Sequence, residues 1–286
     1  MIPPGANRFL DCVLHRGGRD AVLPIVVMLF AVIGIPGFIL YQLIPLYFDY
    51  GVEFRIVDIY TYVLFMSVLV SFFTFIMTWT VVRHHKRDVE WIGALLEYAK
   101  GQGMNTIAME PLYGNMKGLV DPWLNRYMFA AFMVLMTANI VQSIMWFGEH
   151  LAVLELIVIF FVLINLCIAD IYVLHKMRAI DSIQIRFMHS FCDSFLSEQP
   201  VLEDMVTGIE MRSLWPHVLL MTISIGTYSL LFSMWCTHVM NVHIKEQWRY
   251  EEKVIRWMMA RHDLDSITVR EYPFKPSLFY TIYRII

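Results

Sequence analysis

The stretch IYTYVLFMSVLVSFFTFIMTWTVVRHHKRD, residues 59–88, contains the two features that decide the fold class. From Ile59 to Val82 it carries no charged residue, and about 20 mainly apolar residues are enough for a helix to cross the hydrocarbon core of a bilayer. The run then ends in the basic segment RHHKRD, residues 83–88. Because basic residues collect on the cytoplasmic side of a membrane, the stretch predicts a spanning helix whose carboxyl end lies in the cytoplasm.

Three further runs have the same apolar character: Ala21 to about Leu46, Tyr127 to Phe147 and Leu151 to Leu174. Only residues 148–150 separate the last two runs, which predicts an antiparallel pair of helices. The composition agrees, since 58% of the 286 residues are apolar and 16% are charged, against about 25% charged in an average soluble domain. These properties indicate a polytopic membrane protein and exclude a nucleic-acid-binding protein, a secreted disulfide scaffold and a disordered adaptor.

The 22 Lys and Arg residues are distributed unequally between the connecting segments. Three precede the first run and six lie between the second and third runs, whereas Arg55 alone lies between the first and second. By the positive-inside rule, the N-terminus and both long loops are expected in the cytoplasm. We therefore predict a multi-pass protein of the cell membrane.

A fifth apolar run, Leu214 to Val242, permits two topologies. A single tilted span would place the C-terminal tail, with eight basic residues, outside the cell, which the positive-inside rule disfavours. A re-entrant hairpin that bends near Gly226, beside the hydroxyl groups of Ser224, Thr227 and Ser229, would return the tail to the cytoplasm. We expect the hairpin, and the tilted span is the alternative.

One pattern occurs three times: an apolar run ends in a His-containing basic stretch and continues as an amphipathic helix. The stretches begin at Arg83, His175 and Asn241, and the apolar positions that follow share one helical face. Since no Pro or Gly interrupts the junctions, each amphipathic helix should continue the membrane helix before it. We expect the three extensions to pack together beneath the bilayer. The pattern is compatible with an internal repeat and equally with the common properties of cytoplasmic helix ends.

The segments Ser224-Ile225-Gly226-Thr227-Tyr228 and Asn241-Val242-His243 resemble a hairpin domain of uncharacterised prokaryotic, notably archaeal, multi-pass membrane proteins. In those proteins a Gly-x-Tyr break follows a short apolar leg, and Asn-x-His lies at the cytoplasmic end of the next leg. The basic exit at residues 83–88 is similar to other exits in such proteins. The resemblance implies the hairpin topology and supplies no activity.

Catalytic motifs such as GxSxG, HExxH, CxxC and a Gly-rich phosphate loop do not occur in the sequence. We therefore predict that the protein is not an enzyme and has no cofactor. His84 or His85, His175 and His243 lie at the inner ends of the apolar runs and are a candidate set for haem, Zn²⁺ or Cu²⁺. Solvated histidines at the membrane interface are the interpretation we favour, so no metal site is assigned.

Polar residues within the predicted spans are few. Asp170 is near the inner end of the fourth span, where we expect it to snorkel or to pair with Lys176 or a neighbouring helix. Asn139, Gln142 and Asn165 are expected to form hydrogen bonds between helices.

The predicted fold is all-α, with four spans, a re-entrant hairpin and cytoplasmic helical extensions. Its units, in chain order, are a first membrane hairpin (1–82), a cytoplasmic amphipathic helix and loop (83–126), a second membrane hairpin (127–174), a second cytoplasmic helix and linker (175–213), the re-entrant hairpin or fifth span (214–242), and a cytoplasmic helix with an interfacial tail (243–286).

The function we favour from sequence is a non-enzymatic assembly or scaffold subunit, either a homo-oligomer or part of a membrane complex. Its expected partner-contact face comprises Phe187, Phe191, Phe195, Trp248 and Ile255, and its expected contacts with lipid headgroups are Arg83, Lys86 and Arg87. The alternative is an oligomeric channel or small-solute transporter whose hairpin lines the pore, with Ser224, Gly226, Thr227, Tyr228 and Asn139 as pore candidates.

Overall fold

The structure, a computed structural model, describes residues 5–16, 20, 37, 56–144, 149–195, 215–224 and 228–262. Within these residues the chain is entirely helical and forms no strand, which confirms the all-α class. The helices are α1 (Ala6–Leu14), α2 (Ile56–Gly101), α3 (Met109–Leu119), α4 (Pro122–Ile144), α5 (Glu149–Ser194), α6 (Trp215–Ile223) and α7 (Tyr228–Arg261).

Three long helices organise the structure. Helices α2 and α5 each have 46 residues, and α7 has 34. Each begins in an apolar run and continues without a break through its His-containing basic stretch into the amphipathic segment. The expected continuity of the three extensions is therefore observed, because the junctions contain no residue that interrupts the backbone hydrogen bonds of a helix.

The amphipathic halves of α2, α5 and α7 pack on one another in an aromatic core. Trp257 of α7 meets Phe195 of α5 with ring centroids 5.1 Å apart, and it meets Tyr98 of α2 at 6.0 Å. Helix α3 adds Met109 and Met116 to the same core. The expected packing of the three extensions is thus observed, since each amphipathic face is buried against the other two.

Helix α1 docks on the carboxyl half of α2. Its Phe9 is fully buried and lies 6.0 Å from Trp91, measured between ring centroids. Gly5, the N-cap residue, has φ of 83° and approaches α2 so closely that a Cβ there would lie 2.4 Å from the backbone nitrogen of Tyr98. Glycine meets both requirements because it tolerates positive φ and has no side chain.

The fifth apolar run is divided between two helices, α6 and α7, and residues 225–227 between them lie outside the described part. His217 of α6 contacts Tyr228 and Trp235 of α7, with ring centroids 6.0 and 5.1 Å apart. In one continuous helix these residues would be more than about 15 Å apart along the axis, so the chain reverses direction between the two helices. The fifth apolar run therefore forms a helical hairpin. Its insertion into a membrane from one side remains a prediction.

Among the described residues, one helical segment is long and apolar enough to cross a membrane, Ser67–Gly101, with a mean hydropathy of 1.3 over its most apolar window. Helices also cover the third and fourth predicted spans, through α4 and the first half of α5. The first predicted span, Ala21 to Leu46, lies outside the described residues apart from Gly37. Four membrane crossings therefore remain a prediction.

We expect Gly5→Ala to detach α1 from α2. The new methyl group would collide with backbone atoms that cannot move aside, and the positive φ would add strain, so the docked state should lose about 1–3 kcal/mol. The measurement is the rate at which a thiol reagent labels Cys12, which is buried on α1. Gly114→Ala is the control, since a Cβ at Gly114 meets nothing within 4 Å; equal labelling in both variants would contradict this account of α1.

Candidate metal centre

A group of buried charged and polar residues lies where α2 and α7 leave their apolar halves. His84 and Asp88 are four residues apart in α2 and so share one face of that helix. His243 comes from the equivalent exit of α7, and Asp20 from the segment that follows α1. Four of the chain's polar groups are thus brought to one point from three separate segments.

Three ligand-type side chains converge in this group: His84, Asp88 and His243 each bring one ligand atom within 4.8 Å of the other two. All three side chains are buried. Each also has a buried polar atom without a hydrogen bond among the described residues, namely His84 Nε2, Asp88 Oδ2 and His243 Nδ1. Buried polar atoms are normally hydrogen-bonded. These three have ion contacts instead, 3.3 Å between His84 Nε2 and Asp88 Oδ2 and 3.7 Å between His243 Nδ1 and Asp181 Oδ1, and so are candidates to bind a ligand.

A second layer of contacts orients these atoms. His84 Nδ1 lies 2.9 Å from Asp20 Oδ1, and the other oxygen of Asp20 accepts a 2.7 Å hydrogen bond from Trp248 Nε1. Asp88 Oδ1 accepts a 2.6 Å hydrogen bond from Gln247 Nε2. With Nδ1–H of His84 donating to Asp20, the lone pair of Nε2 would point to the centre once its proton has left. Carboxylate–histidine pairs of this kind fix the ring that binds a metal ion.

Ion pairs surround this layer. The Arg87 guanidinium lies between two carboxylates, with Nε 2.8 Å from Asp20 Oδ2 and an NH2 hydrogen bond of 2.6 Å to Glu251 Oε1. Arg16 pairs with Glu252 and donates a 2.8 Å hydrogen bond to the carbonyl oxygen of Trp248. A buried guanidinium needs such neutralisation because an unpaired charge in the interior is costly.

Carboxyl groups outnumber guanidinium groups in this network. Its four carboxylates, counted as ionised, face two guanidinium groups; the carboxylates are Asp20, Asp88, Glu251 and Glu252, and the guanidinium groups are Arg16 and Arg87. Asp181 adds another carboxylate, with Oδ1 3.7 Å from His243 Nδ1. The carboxyl groups favour a positive charge at the centre, which either a metal ion or the proton of His84 supplies.

Several groups of the site have displaced pKa values. Burial would lower the pKa of His84, but the carboxylates of Asp88 and Asp20 outweigh it and raise the pKa, so a metal ion at this ring would have to displace a proton. Burial would raise the pKa of Asp20, but His84, Arg87 and the Trp248 hydrogen bond outweigh it and lower the pKa to about 2. Burial, together with the charges of His84 and Arg87, lowers the pKa of His243 to about 4. At neutral pH Asp20 is therefore a carboxylate and His243 a neutral imidazole, which is the form that binds metal ions.

Two of the expected contact sets require correction. Arg87 was expected at the lipid headgroups. Only 1% of its surface is exposed, however, and its guanidinium group pairs with the buried carboxylates of Asp20 and Glu251. Arg83 is partly exposed and lies over Trp79 at 4.9 Å, and Lys86 is exposed, so headgroup contact by these two residues remains a prediction.

The expected partner-contact face is also internal. Its five members are buried in the packing of the three extensions: Phe187, Phe191, Phe195, Trp248 and Ile255. The apolar face of each of the three helical extensions is buried against the other two extensions. These residues are therefore not available to a partner.

The pore candidates are only partly described. Ser224 Oγ accepts a 3.0 Å hydrogen bond from the backbone nitrogen of Tyr228, and the Tyr228 hydroxyl lies 2.9 Å from His217 Nδ1. Gly226 and Thr227 lie outside the described residues, and of Asn139 the structure describes only its position in α4. A role for these residues in a pore remains a prediction.

Sequence reasoning proposed His84 and His243 as metal-ligand candidates but gave preference to solvated histidines. It missed Asp88, Asp20 and Gln247. One signal was present, the spacing of four between His84 and Asp88 on a helix. The contributions of Asp20 and Gln247 could not be read from the sequence, because they depend on which segments pack together.

Comparison of the chain with protein-family models, with curated proteins and with solved structures finds no match. The proposals below therefore depend on the geometry of this molecule alone.

We expect Arg87→Leu to destabilise the protein by about 3–5 kcal/mol, because it leaves the carboxylates of Asp20 and Glu251 buried without their cation. Arg83→Leu is the matched control four residues earlier in the same helix, and it should change stability by about 1 kcal/mol or less. The free energy of unfolding, measured in mild detergent, distinguishes the two. Equal losses in both variants would contradict a structural role for the Arg87 ion pairs.

Proposed function

We propose that the protein is an integral membrane protein that binds one divalent transition-metal ion at the inner ends of its spanning helices. The ligands are His84 Nε2, Asp88 Oδ2 and His243 Nδ1. The observation that carries the proposal is that these three buried side chains bring ligand atoms within 4.8 Å of one another, and that each has a buried polar atom without a hydrogen bond among the described residues.

The ligand types define the class of metal. Two imidazole nitrogens and one carboxylate oxygen suit Zn²⁺, Fe²⁺ and Mn²⁺, whereas copper(I) prefers thiolate and thioether sulfur. Three protein ligands also leave at least one coordination position for water or for a small ligand. The negative charge of the surrounding carboxylates supports a divalent cation over a monovalent one.

Exposed apolar side chains support the membrane setting. On α4, α5 and α6 large apolar residues face outward where the runs predict spans; they include Val134, Phe161, Ile168, Leu219 and Ile223. A surface of this kind is expected to be covered by lipid. Four spans with both termini in the cytoplasm would place the metal centre at the cytoplasmic boundary, because Asp20, His84 and His243 directly adjoin predicted apolar runs.

Assembly and transport, the two functions expected from the sequence, remain predictions. A scaffold role would need a contact surface other than the five buried residues, and the exposed faces of α3 and α4 are available for it. A channel or small-solute transporter would use the α6–α7 hairpin. Purified protein reconstituted in liposomes would show ion conductance if the channel hypothesis is correct.

A competing explanation of the triad involves no metal. A proton on His84 Nε2 would place an imidazolium between Asp20 and Asp88, and an ordered water would satisfy His243. His84 Nε2 and Asp88 Oδ2 are 3.3 Å apart but do not have the geometry of a hydrogen bond. This favours the metal explanation, in which both atoms face a bound ion. A metal-binding measurement separates the two explanations.

We expect the purified, chelator-treated protein to bind one Zn²⁺ per chain and to develop visible absorption when titrated with Co²⁺. His243→Gln and Asp88→Asn should each weaken binding by more than about 100-fold, since losing a ligand costs more than losing a supporting partner. His189→Gln, which changes an exposed histidine, is the control and should bind normally. If the wild-type protein binds neither ion, or if His243→Gln binds as well as wild type, the metal centre is wrong.

We expect Trp248→Phe to weaken metal binding by about 10–100-fold. The change keeps an aromatic ring but removes the N–H that holds Asp20, so His84 loses its fixed orientation. Trp235→Phe is the control, since Trp235 stacks on His217 at 5.1 Å, in the hairpin. Unchanged Co²⁺ affinity in Trp248→Phe, with the fold intact by circular dichroism, would contradict the orienting role of Asp20.

A further inference from the structure

A second buried charged group lies in the apolar half of the helices. Asp170 of α5 is fully buried between α2 and α7, in the part of the chain that the sequence predicts to lie in the membrane. The prediction that it snorkels or pairs with Lys176 is wrong, because Lys176 instead donates a 3.3 Å hydrogen bond to the carbonyl oxygen of Leu119. Asp170 pairs with the neighbouring helices, the other alternative that the sequence left open.

The partners of Asp170 are hydroxyl groups. Ser229 of α7 donates a short hydrogen bond to Oδ2, and Ser233, one turn later, lies 3.3 Å from both carboxylate oxygens. Thr74 of α2 lies 3.3 Å from the Ser233 hydroxyl. Among the described residues no Lys, Arg or His pairs with this carboxylate.

The other titratable groups that face Asp170 are two thiols, Cys167 of α5 and Cys236 of α7. The contribution of α2 is the neutral hydroxyl of Thr74. Thiols are either neutral or negative, so neither can balance a carboxylate. An ionised carboxylate in an apolar interior without a cation is strongly unfavourable. Since no described side chain supplies the balancing positive charge, a bound cation or a proton is the source that the described contacts leave.

Direct contacts favour the proton. The hydroxyls of Ser229 and Ser233 contact the carboxylate oxygens themselves, whereas a metal ion would stand between these oxygen atoms and keep them apart. We propose that Asp170 is a proton-binding site in the membrane half of the protein, distinct from the metal centre.

The two sites share the same helices. Thr74 precedes His84 by ten residues in α2, and Ser233 precedes His243 by ten in α7, which corresponds to about 15 Å along each helix axis. The proton site and the candidate metal centre are therefore separate positions on the same two helices.

Infrared spectroscopy of the full-length protein in liposomes tests the proposal, because the C=O stretch of a protonated carboxyl is separate from the bands of carboxylates. At neutral pH the wild-type spectrum should contain this band, and the band should shift in D₂O and disappear at alkaline pH as the proton leaves. Asp170→Asn should lose the band, whereas Asp193→Asn, which changes an exposed carboxylate, should retain it.

Two results would overturn the proposal: absence of the band from the wild-type protein at neutral pH, or its persistence in Asp170→Asn. If Asp170→Asn does not fold, Ser233→Ala is measured in its place. Removal of this hydroxyl donor should move the band to higher frequency. An unmoved band would contradict the assignment of the bound proton to Asp170. Asp170→Asn should still bind Co²⁺, so failure of the metal centre and failure of the proton site are measured separately.

Discussion

Arg87 is held between the carboxylates of Asp20 and Glu251 in the interior of the protein, with 1% of its surface exposed. A guanidinium group is stable in such a place only while both partners stay with it. This constraint ties together three parts of the chain: the segment after α1, the middle of α2 and the polar half of α7. The same contacts hold Asp20 against His84, so the ion pair of Arg87 also fixes the geometry of the candidate metal centre.

The long helices give the protein two chemically different halves. In the apolar half α2, α5 and α7 enclose Asp170 among hydroxyl groups, and in the polar half they bury an aromatic core with Tyr98, Phe195 and Trp257. The candidate metal centre lies where the halves meet. In the predicted topology this is the level at which a helix leaves the bilayer and charged side chains cease to be strongly unfavourable.

Much of the fold was predictable from local patterns. The continuity of α2, α5 and α7 followed from the lack of Pro and Gly at their junctions, and the stripes of Phe, Trp and Ile correctly indicated buried faces. The error concerned what covers those faces. A stripe shows that a face is apolar, but a neighbouring helix of the same chain and a partner protein would bury it equally well, and periodicity does not distinguish them.

The segment RHHKRD, residues 83–88, shows the division between sequence and structure most clearly. The sequence by itself determined that this segment is helical, that it ends an apolar run, and that His84 and Asp88 share a face, because these properties depend on residues close together in the chain. Only the tertiary structure decided that Arg87 turns inward while Lys86 stays exposed. It also decided that His243, far along the chain, completes the site with His84 and Asp88. Contacts between distant segments depend on how whole helices pack. The spacing of residues within one segment therefore does not indicate which residue of another segment will contact them.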